Sequence, residues 1–328
     1  MINVLKERDR EFNLSEKELI EEINRLRKER NAIILAHYYQ EAEIQDIADF
    51  VGDSLQLSQQ AAKTKADVIV FAGVHFMAET AKILCPSKTV LLPDLDAGCS
   101  LADSCNAKDF EVFLKKYPGH TVISYVNTTA EIKALTDIIC TSSNALDIVK
   151  SLPENEKIVF APDKNLGNYI QSMTGRNMII WDGACHVHER FSLEKILALK
   201  KEYRDAKIIS HPECEKPVLL VSDYIGSTSA LLKFTSQDSS NEYIVCTESG
   251  ILHQMKKEHP EKMFIPAPPN DSTCACNDCQ FMKLITLKKI YLSLKYDLFE
   301  IKLDNDIQLK AEKPIRRMLE ISEKLGFK

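Results

Sequence analysis

Aliphatic, β-branched runs recur along this chain, each preceded by a charged segment with helical spacing. The first such stretch runs from Leu19 to Ala36, the second from Phe113 to Val126 and the third from Ile196 to Ser210. Each closes on polar residues in the same register: His37 and Tyr39, then Tyr125 and Asn127, then His211 and Glu213. After each comes a turn rich in small and hydroxyl residues that opens a helix: Gly52-Asp53-Ser54-Leu55, Thr141-Ser142-Ser143-Asn144 and Gly226-Ser227-Thr228-Ser229. Second strand signals follow at Val68–Phe71, Ile158–Phe160 and Tyr243–Val245. A third apolar stretch then leads to a cysteine, so the whole pattern repeats at roughly 85 to 90 residues.

Apolar runs of strand length alternating with amphipathic helices predict parallel βαβ units. The expected class is therefore α/β, with three similar small domains of parallel sheet flanked by helices, related by pseudo-threefold symmetry. The expected limits are 1–108, 109–194 and 195–284, with C-terminal helices over 285–328 packing back on the first domain. Ligands of such sheets bind beyond the carboxyl ends of the strands. Three domains pointing those ends inward would enclose one cavity, and the hydroxyl turns at helix starts would supply anion-binding N–H groups to it.

Composition narrows the function. The 328 residues are 45% hydrophobic and 27% charged, with a net charge of −6 and a pI near 5.8, which argues against a nucleic-acid partner. No stretch approaches the ~20 apolar residues of a membrane span, and the Glu-, Lys- and Arg-rich segment from Met1 to Arg30 does not resemble a signal peptide. A cytoplasmic enzyme is expected. Its ten cysteines then read as buried thiols plus metal ligands rather than a disulfide framework.

Cys85, Cys140 and Cys246 sit in apolar or strand-edge contexts that suit inert buried thiols. Cys99, beside Gly98, and Cys185, after Asp182-Gly183-Ala184, each follow a loop at the end of a unit. Cys274-Ala275-Cys276-Asn277-Asp278-Cys279 is the one compact cluster, delivered by the Pro-rich segment Ile265–Asp271. Its C-x-x-C pair is compatible with structural zinc, for which Cys185-His186-Val187-His188 offers the other half. One thiol per repeat suits a [4Fe–4S] cube better, because three thiolates leave one iron open as a Lewis acid.

Several signatures resemble the quinolinate synthase A family over nearly the whole chain. They are Ala36-His37-Tyr38-Tyr39-Gln40, Gln45 to Leu55, Phe76 to Leu84, Tyr125 to Glu131, Pro162-Asp163-Lys164-Asn165-Leu166, His211-Pro212-Glu213-Cys214 and Cys279-Gln280-Phe281-Met282-Lys283. The resemblance implies an iron–sulfur enzyme of NAD biosynthesis, a transferase that condenses iminoaspartate with dihydroxyacetone phosphate and loses phosphate and two waters. It implies a [4Fe–4S] cluster on Cys99, Cys185 and Cys279 with one open iron. Substrate contacts would come from His37, Ser54, Tyr125, Asn127, Ser142, His188, His211, Glu213, Ser227 and Thr228. Glu213 with His211 is the expected base pair, and Tyr39 with His37 the expected proton donors; Lys164 is a weaker candidate. Transient contact with L-aspartate oxidase, the source of iminoaspartate, is a further expectation, as is a redox-responsive disulfide involving Cys274 or Cys276. The rival readings are a pseudo-threefold reductase of hydroxymethylbutenyl diphosphate, which lacks the His37-Tyr39 and His211-Pro212-Glu213 signatures, and a non-enzymatic metal sensor.

Overall fold

A computed structural model describes residues 14–270 and 277–327. Cys274 and Cys276, and with them the expected disulfide, lie outside the described residues. The described strands form three four-stranded sheets. The first holds β1 (Ala32–His37), β2 (Phe50–Gly52), β3 (Val68–Ala72) and β4 (Thr89–Leu91). The second holds β5 (Thr121–Tyr125), β6 (Ile138–Cys140), β7 (Ile158–Ala161) and β8 (Ile179–Ile180). The third holds β9 (Lys207–Ser210), β10 (Tyr224–Ile225), β11 (Glu242–Cys246) and β12 (Met263–Pro266).

Every pairing is parallel, and in each sheet the spatial order is second, first, third, fourth strand. Parallel neighbours need crossovers, which short helices supply here, so both faces of the sheets are covered. That is why Val68-Ile69-Val70-Phe71-Ala72 and Ile158-Val159-Phe160-Ala161 are apolar and buried at every position.

The repeat is accurate to single hydrogen bonds. The carboxylates of Asp49, Asp137 and Asp223 each accept the backbone N–H of a residue fifteen positions earlier, Ile34, Val122 and Ile208, all at 2.8 Å. Each Asp N–H returns a bond to the same residue's carbonyl, at 2.9, 3.0 and 2.7 Å. The steps between these equivalents are 88 residues (49 to 137) and 86 (137 to 223), within the period expected from the pattern. Two units also pair a hydroxyl of the first strand with one just before the second, Ser124 with Thr136 at 2.7 Å and Ser210 with Ser222 at 2.6 Å. The first unit has Ala36 and Ala48 at those places. Exchanging both partners together leaves no orphan polar atom, so the change is nearly neutral.

Two terminal helices tie the units together. Leu287–Tyr296 lies against Glu16–Glu29, while Asn305–Lys324 lies against β6 and the helices Ala130–Ala134 and His75–Leu84. The first and third units also meet directly. Gln45 Nε2 lies 3.0, 2.8 and 2.9 Å from the carbonyls of Tyr38, Gln40 and Gly250. A Cβ on Gly250 would lie 2.8 Å from the backbone of Tyr39. Gly250→Ala is therefore expected to destabilise the fold by about 1–3 kcal/mol, the range for overpacking, and to lower the thermal midpoint in calorimetry.

Candidate active site and metal centre

The carboxyl ends of the three first strands converge on one cavity of about 60 Å³. From β1 it receives His37 and Tyr39, from β5 Tyr125 and Asn127, and from β9 His211 and Glu213. The helix-opening turns add Ser54, Ser142 and Thr228, and the loops after the fourth strands add Cys99, Cys185 with His188, and Cys279. Ser227 is turned elsewhere: its hydroxyl caps its own helix at Ala230 N–H and lies 2.8 Å from Ser143. There, Asp53 caps the first unit's helix and accepts the hydroxyls of Ser143 and Ser229, so one carboxylate joins turns from all three units. Lys164 bridges Asp182 at 3.3 Å and Glu189 at 3.1 Å, away from the cavity wall.

Glu213 is the hub of the polar groups. It accepts the Tyr125 hydroxyl and, at 3.0 Å, His188 Nδ1–H. Burial alone would raise its pKa, but the facing His188 and His211 and these hydrogen bonds hold it below the ordinary carboxylate range. Burial pushes His211 down to about 3, against an upward pull from Glu213, and His37 to about 4, against Asp53 and Glu213. Both are therefore neutral donors at physiological pH. The tautomer of His211 follows from its neighbours: Nδ1 accepts the Glu213 N–H at 3.4 Å, so Nε2–H donates to Ser142 Oγ at 3.1 Å. Ser142 in turn hydrogen-bonds the Tyr125 hydroxyl, whose own proton goes to Glu213. His37 Nδ1 likewise accepts the Tyr39 N–H at 3.2 Å, which leaves Nε2–H free. Asn127 Oδ1 is buried without a partner and lacks only a donor from a bound molecule.

Cys99, Cys185 and Cys279 come from different units and share the wall of this cavity. Burial pushes Cys99 up to about 12 and Cys279 to about 11 and raises Cys185 as well, with mutual repulsion of the thiolates adding to each of the first and last. A cation binding all three would relieve both penalties. One atom each of Cys185, His188 and Glu213 also lie within 4.8 Å of one another, a possible metal-binding group. However, both nitrogens of His188 are engaged, Nδ1 with Glu213 and Nε2 with Thr247 at 3.0 Å. The three thiols are the more available donor set.

Buried groups that sequence reasoning passed over support this wall. Two residues beyond the third strand of the second and third units stand Asp163 and Glu248, whose carboxylates accept the backbone N–H of Cys185 at 3.3 Å and Cys279 at 3.1 Å. The first unit has Val74 at this place. Glu248 also faces Lys283, 3.2 Å away, whose Nζ donates to the Tyr39 carbonyl at 3.0 Å. Lys133, fully buried, donates to the carbonyls of Val126 and Thr128 on either side of Asn127. Only their equivalence across the repeat could have drawn attention to Asp163 and Glu248; Lys133 gave no signal.

Thiols outside the cavity wall carry a pH effect. Burial lifts Cys105 and Cys246 to about 12, from the 9.0 of an exposed thiol. Between those values the unfolded chain has released protons that the folded one keeps, so stability falls as pH rises. Each such thiol is expected to cost about 1.4 kcal/mol per pH unit at most over that interval. Urea unfolding at pH 8 and pH 10 would show the drop, and substituting Cys105 by Ala would reduce the slope.

Comparison with known proteins gives concordant matches. Residues 21–320 match the family profile described as quinolinate synthetase A protein. A quinolinate synthase of Chloroherpeton thalassium is 58% identical over 312 residues, covering 95% of this chain and 97% of the relative. That of Thermosynechococcus vestitus is 59% identical over 93% of this chain and 96% of its own length, and that of Microcystis aeruginosa 60% identical over 93% and 95%.

Proposed function

The chain belongs to the quinolinate synthetase A family, and from that premise we propose that it forms quinolinate from iminoaspartate and dihydroxyacetone phosphate. The observation that carries the reading is the single cavity on the pseudo-threefold axis, into which each unit sends one thiol and a pair of polar strand-end residues. The two substrates together hold the atoms of quinolinate, phosphate and two waters, so the reaction is redox-neutral. It needs proton transfers, anion recognition and an acid to assist loss of hydroxyl. The domain limits near 108, 194 and 284 belong to the same proposal.

Thr228 and Ser54 at two helix starts, with Ser142 between His211 and Tyr125, would receive the phosphate and carboxylate oxygens. His37 Nε2–H adds a neutral donor. Asn127 Oδ1 would accept the N–H of the imine-derived nitrogen. Glu213, ionised and backed by His188, would take protons from carbon next to a carbonyl or imine, the step that isomerisation and condensation share. Tyr125 and Tyr39, kept protonated by burial, would supply hydrogen bonds to oxygens that gain negative charge. Cys99, Cys185 and Cys279 fit a [4Fe–4S] cluster, which when bound supplies Lewis acidity at an iron free of protein thiolate.

The test is a paired product measurement. Anaerobically iron-loaded protein given both substrates is expected to release phosphate and a pyridine dicarboxylate in equal amounts, and neither when iminoaspartate is left out. Phosphate release without the dicarboxylate would reject the condensation.

A further inference from the structure

Tyr39, Asn127 and Glu213 occupy equivalent places in the cavity wall, separated by 88 residues (39 to 127) and 86 (127 to 213). The side chains of Tyr39 and Glu213 are held there by hydrogen bonds of their own, Tyr39 to Thr228 and Thr247, and Glu213 to Tyr125 and His188. The oxygen of Asn127 has no such hold, because Oδ1 is buried without a partner. Its aim therefore rests on the backbone that carries it.

Six positions after Asn127 stands Lys133, fully buried and outside the cavity wall. Its Nζ donates to the carbonyl of Val126 at 2.9 Å and to that of Thr128, the residues on either side of Asn127. The Thr128 N–H also closes on the Val126 carbonyl at 2.8 Å, so Asn127 sits at the head of a three-residue turn. The first unit has the same construction. Six positions after Tyr39, Gln45 Nε2 donates to the carbonyls of Tyr38 and Gln40, at 3.0 and 2.8 Å. A lysine and a glutamine share no sequence signature, so the correspondence shows only in what they bind. The third unit has Leu219 at this place, where the Glu213 carboxylate is already fixed by its two donors.

An ammonium bonds two carbonyls more strongly than a neutral amide does, provided that its charge survives burial. Burial lowers the Lys133 pKa to about 8, and Glu79 does most to oppose the shift, so the ammonium form prevails at neutral pH. Glu79 is 4% exposed and accepts the Ala130 N–H at 3.1 Å, at the start of the helix Ala130–Ala134 that carries Lys133. The Phe76 ring, part of the cavity wall, has its centroid 5.5 Å from Nζ and adds a cation–π contact. The first unit thus braces a clamp that acts on the second.

We propose that Lys133 is a positioning residue that aims the Asn127 oxygen at the imine-derived nitrogen of the substrate, by pinning the carbonyls on both sides of it. This rests on the function proposed above. Lys133 itself touches no substrate, and dihydroxyacetone phosphate has no nitrogen for Asn127 to recognise. The clamp therefore acts on one of the two substrates only.

The experiment is a mutant cycle on iron-loaded protein. Lys133→Met alone would leave Glu79 buried without its cation, so the change is made together with Glu79→Gln, whose amide oxygen still accepts the Ala130 N–H. Lys133→Met/Glu79→Gln is expected to lower kcat/KM for iminoaspartate about tenfold, the loss of one hydrogen bond, with KM for dihydroxyacetone phosphate and iron content unchanged. Asn127→Ala should cost as much, and the enzyme carrying all three changes no more than either. Lys133→Gln/Glu79→Gln, which puts the first unit's donor in this place, should restore most of the rate. Losses that multiply in the triple variant would overturn the clamp, because Lys133 would then act elsewhere. So would wild-type kcat/KM in Lys133→Met/Glu79→Gln or in Asn127→Ala, or a glutamine variant as slow as the methionine one. If the methionine variant does not fold, the glutamine variant decides: wild-type kcat/KM supports the clamp and a loss overturns it. Wild type that makes no quinolinate would overturn the proposed function, and the clamp with it, a failure distinct from one confined to the variants.

Discussion

Glu213→Gln is expected to lower kcat for quinolinate formation by about 10²–10⁴-fold, the span of a lost general acid–base group, with a much smaller change in KM. The carboxylate is 2% exposed and accepts Tyr125 and His188 from other parts of the chain. A carboxamide of the same shape keeps one acceptor oxygen but turns an NH₂ group toward one of two donors. The substituted enzyme loses its base and the alignment of His188 in one step. Because Glu213 makes no hydrogen bond to Ser54, Thr228 or Asn127, the anion-binding groups stay where they were. Steady-state kinetics on protein with normal iron content separates the two effects. A kcat near wild type would move the base elsewhere in the cavity.

Cys185→Ala is expected to abolish turnover through loss of the metal centre. With one of three thiolates gone, iron is expected to fall from about four per chain, the content of one cube, to a small fraction of that. Replacing Cys105 is the matched control: burial raises its pKa too, but it lies outside the cavity wall. Cys105→Ala should keep the iron and most of the activity. Equal iron in both variants would remove the thiols of the cavity from the metal centre.

Much of this arrangement was legible in the sequence, because it follows from periodicity. His37, Tyr125 and His211 were placed in common register by the apolar runs before them, and the structure brings them to one cavity at the ends of β1, β5 and at the residue after β9. Parallel sheets bury both faces, so their strands stand out as unbroken apolar runs. The hydroxyl turns at Ser54, Ser142 and Thr228 were visible for a similar reason, since helix starts need small capping residues.

What stayed hidden depends on contacts between residues far apart along the chain, which no local pattern records. Thr247 follows a strand like many threonines, and only its placement between Tyr39 and His188 gives it meaning. Ser227 has the same local sequence setting as Thr228, yet it points to Ser143 rather than into the cavity, because the first helical residue and the cap before it face different ways. Asp163 and Glu248 act on cysteines more than twenty residues away along the chain. Their value lies in the backbone direction they impose on the thiols, which composition cannot show.

The central claim is that one cavity joins the thiol-bound metal to the proton-transfer groups of a condensing enzyme. The most direct test is the rate of quinolinate formation from iminoaspartate and dihydroxyacetone phosphate across preparations loaded anaerobically with increasing iron. The expected result is a rate that rises in proportion to cluster content and vanishes in the iron-free protein. Full-rate synthesis by iron-free protein, or no synthesis by protein carrying a complete cluster, would contradict it.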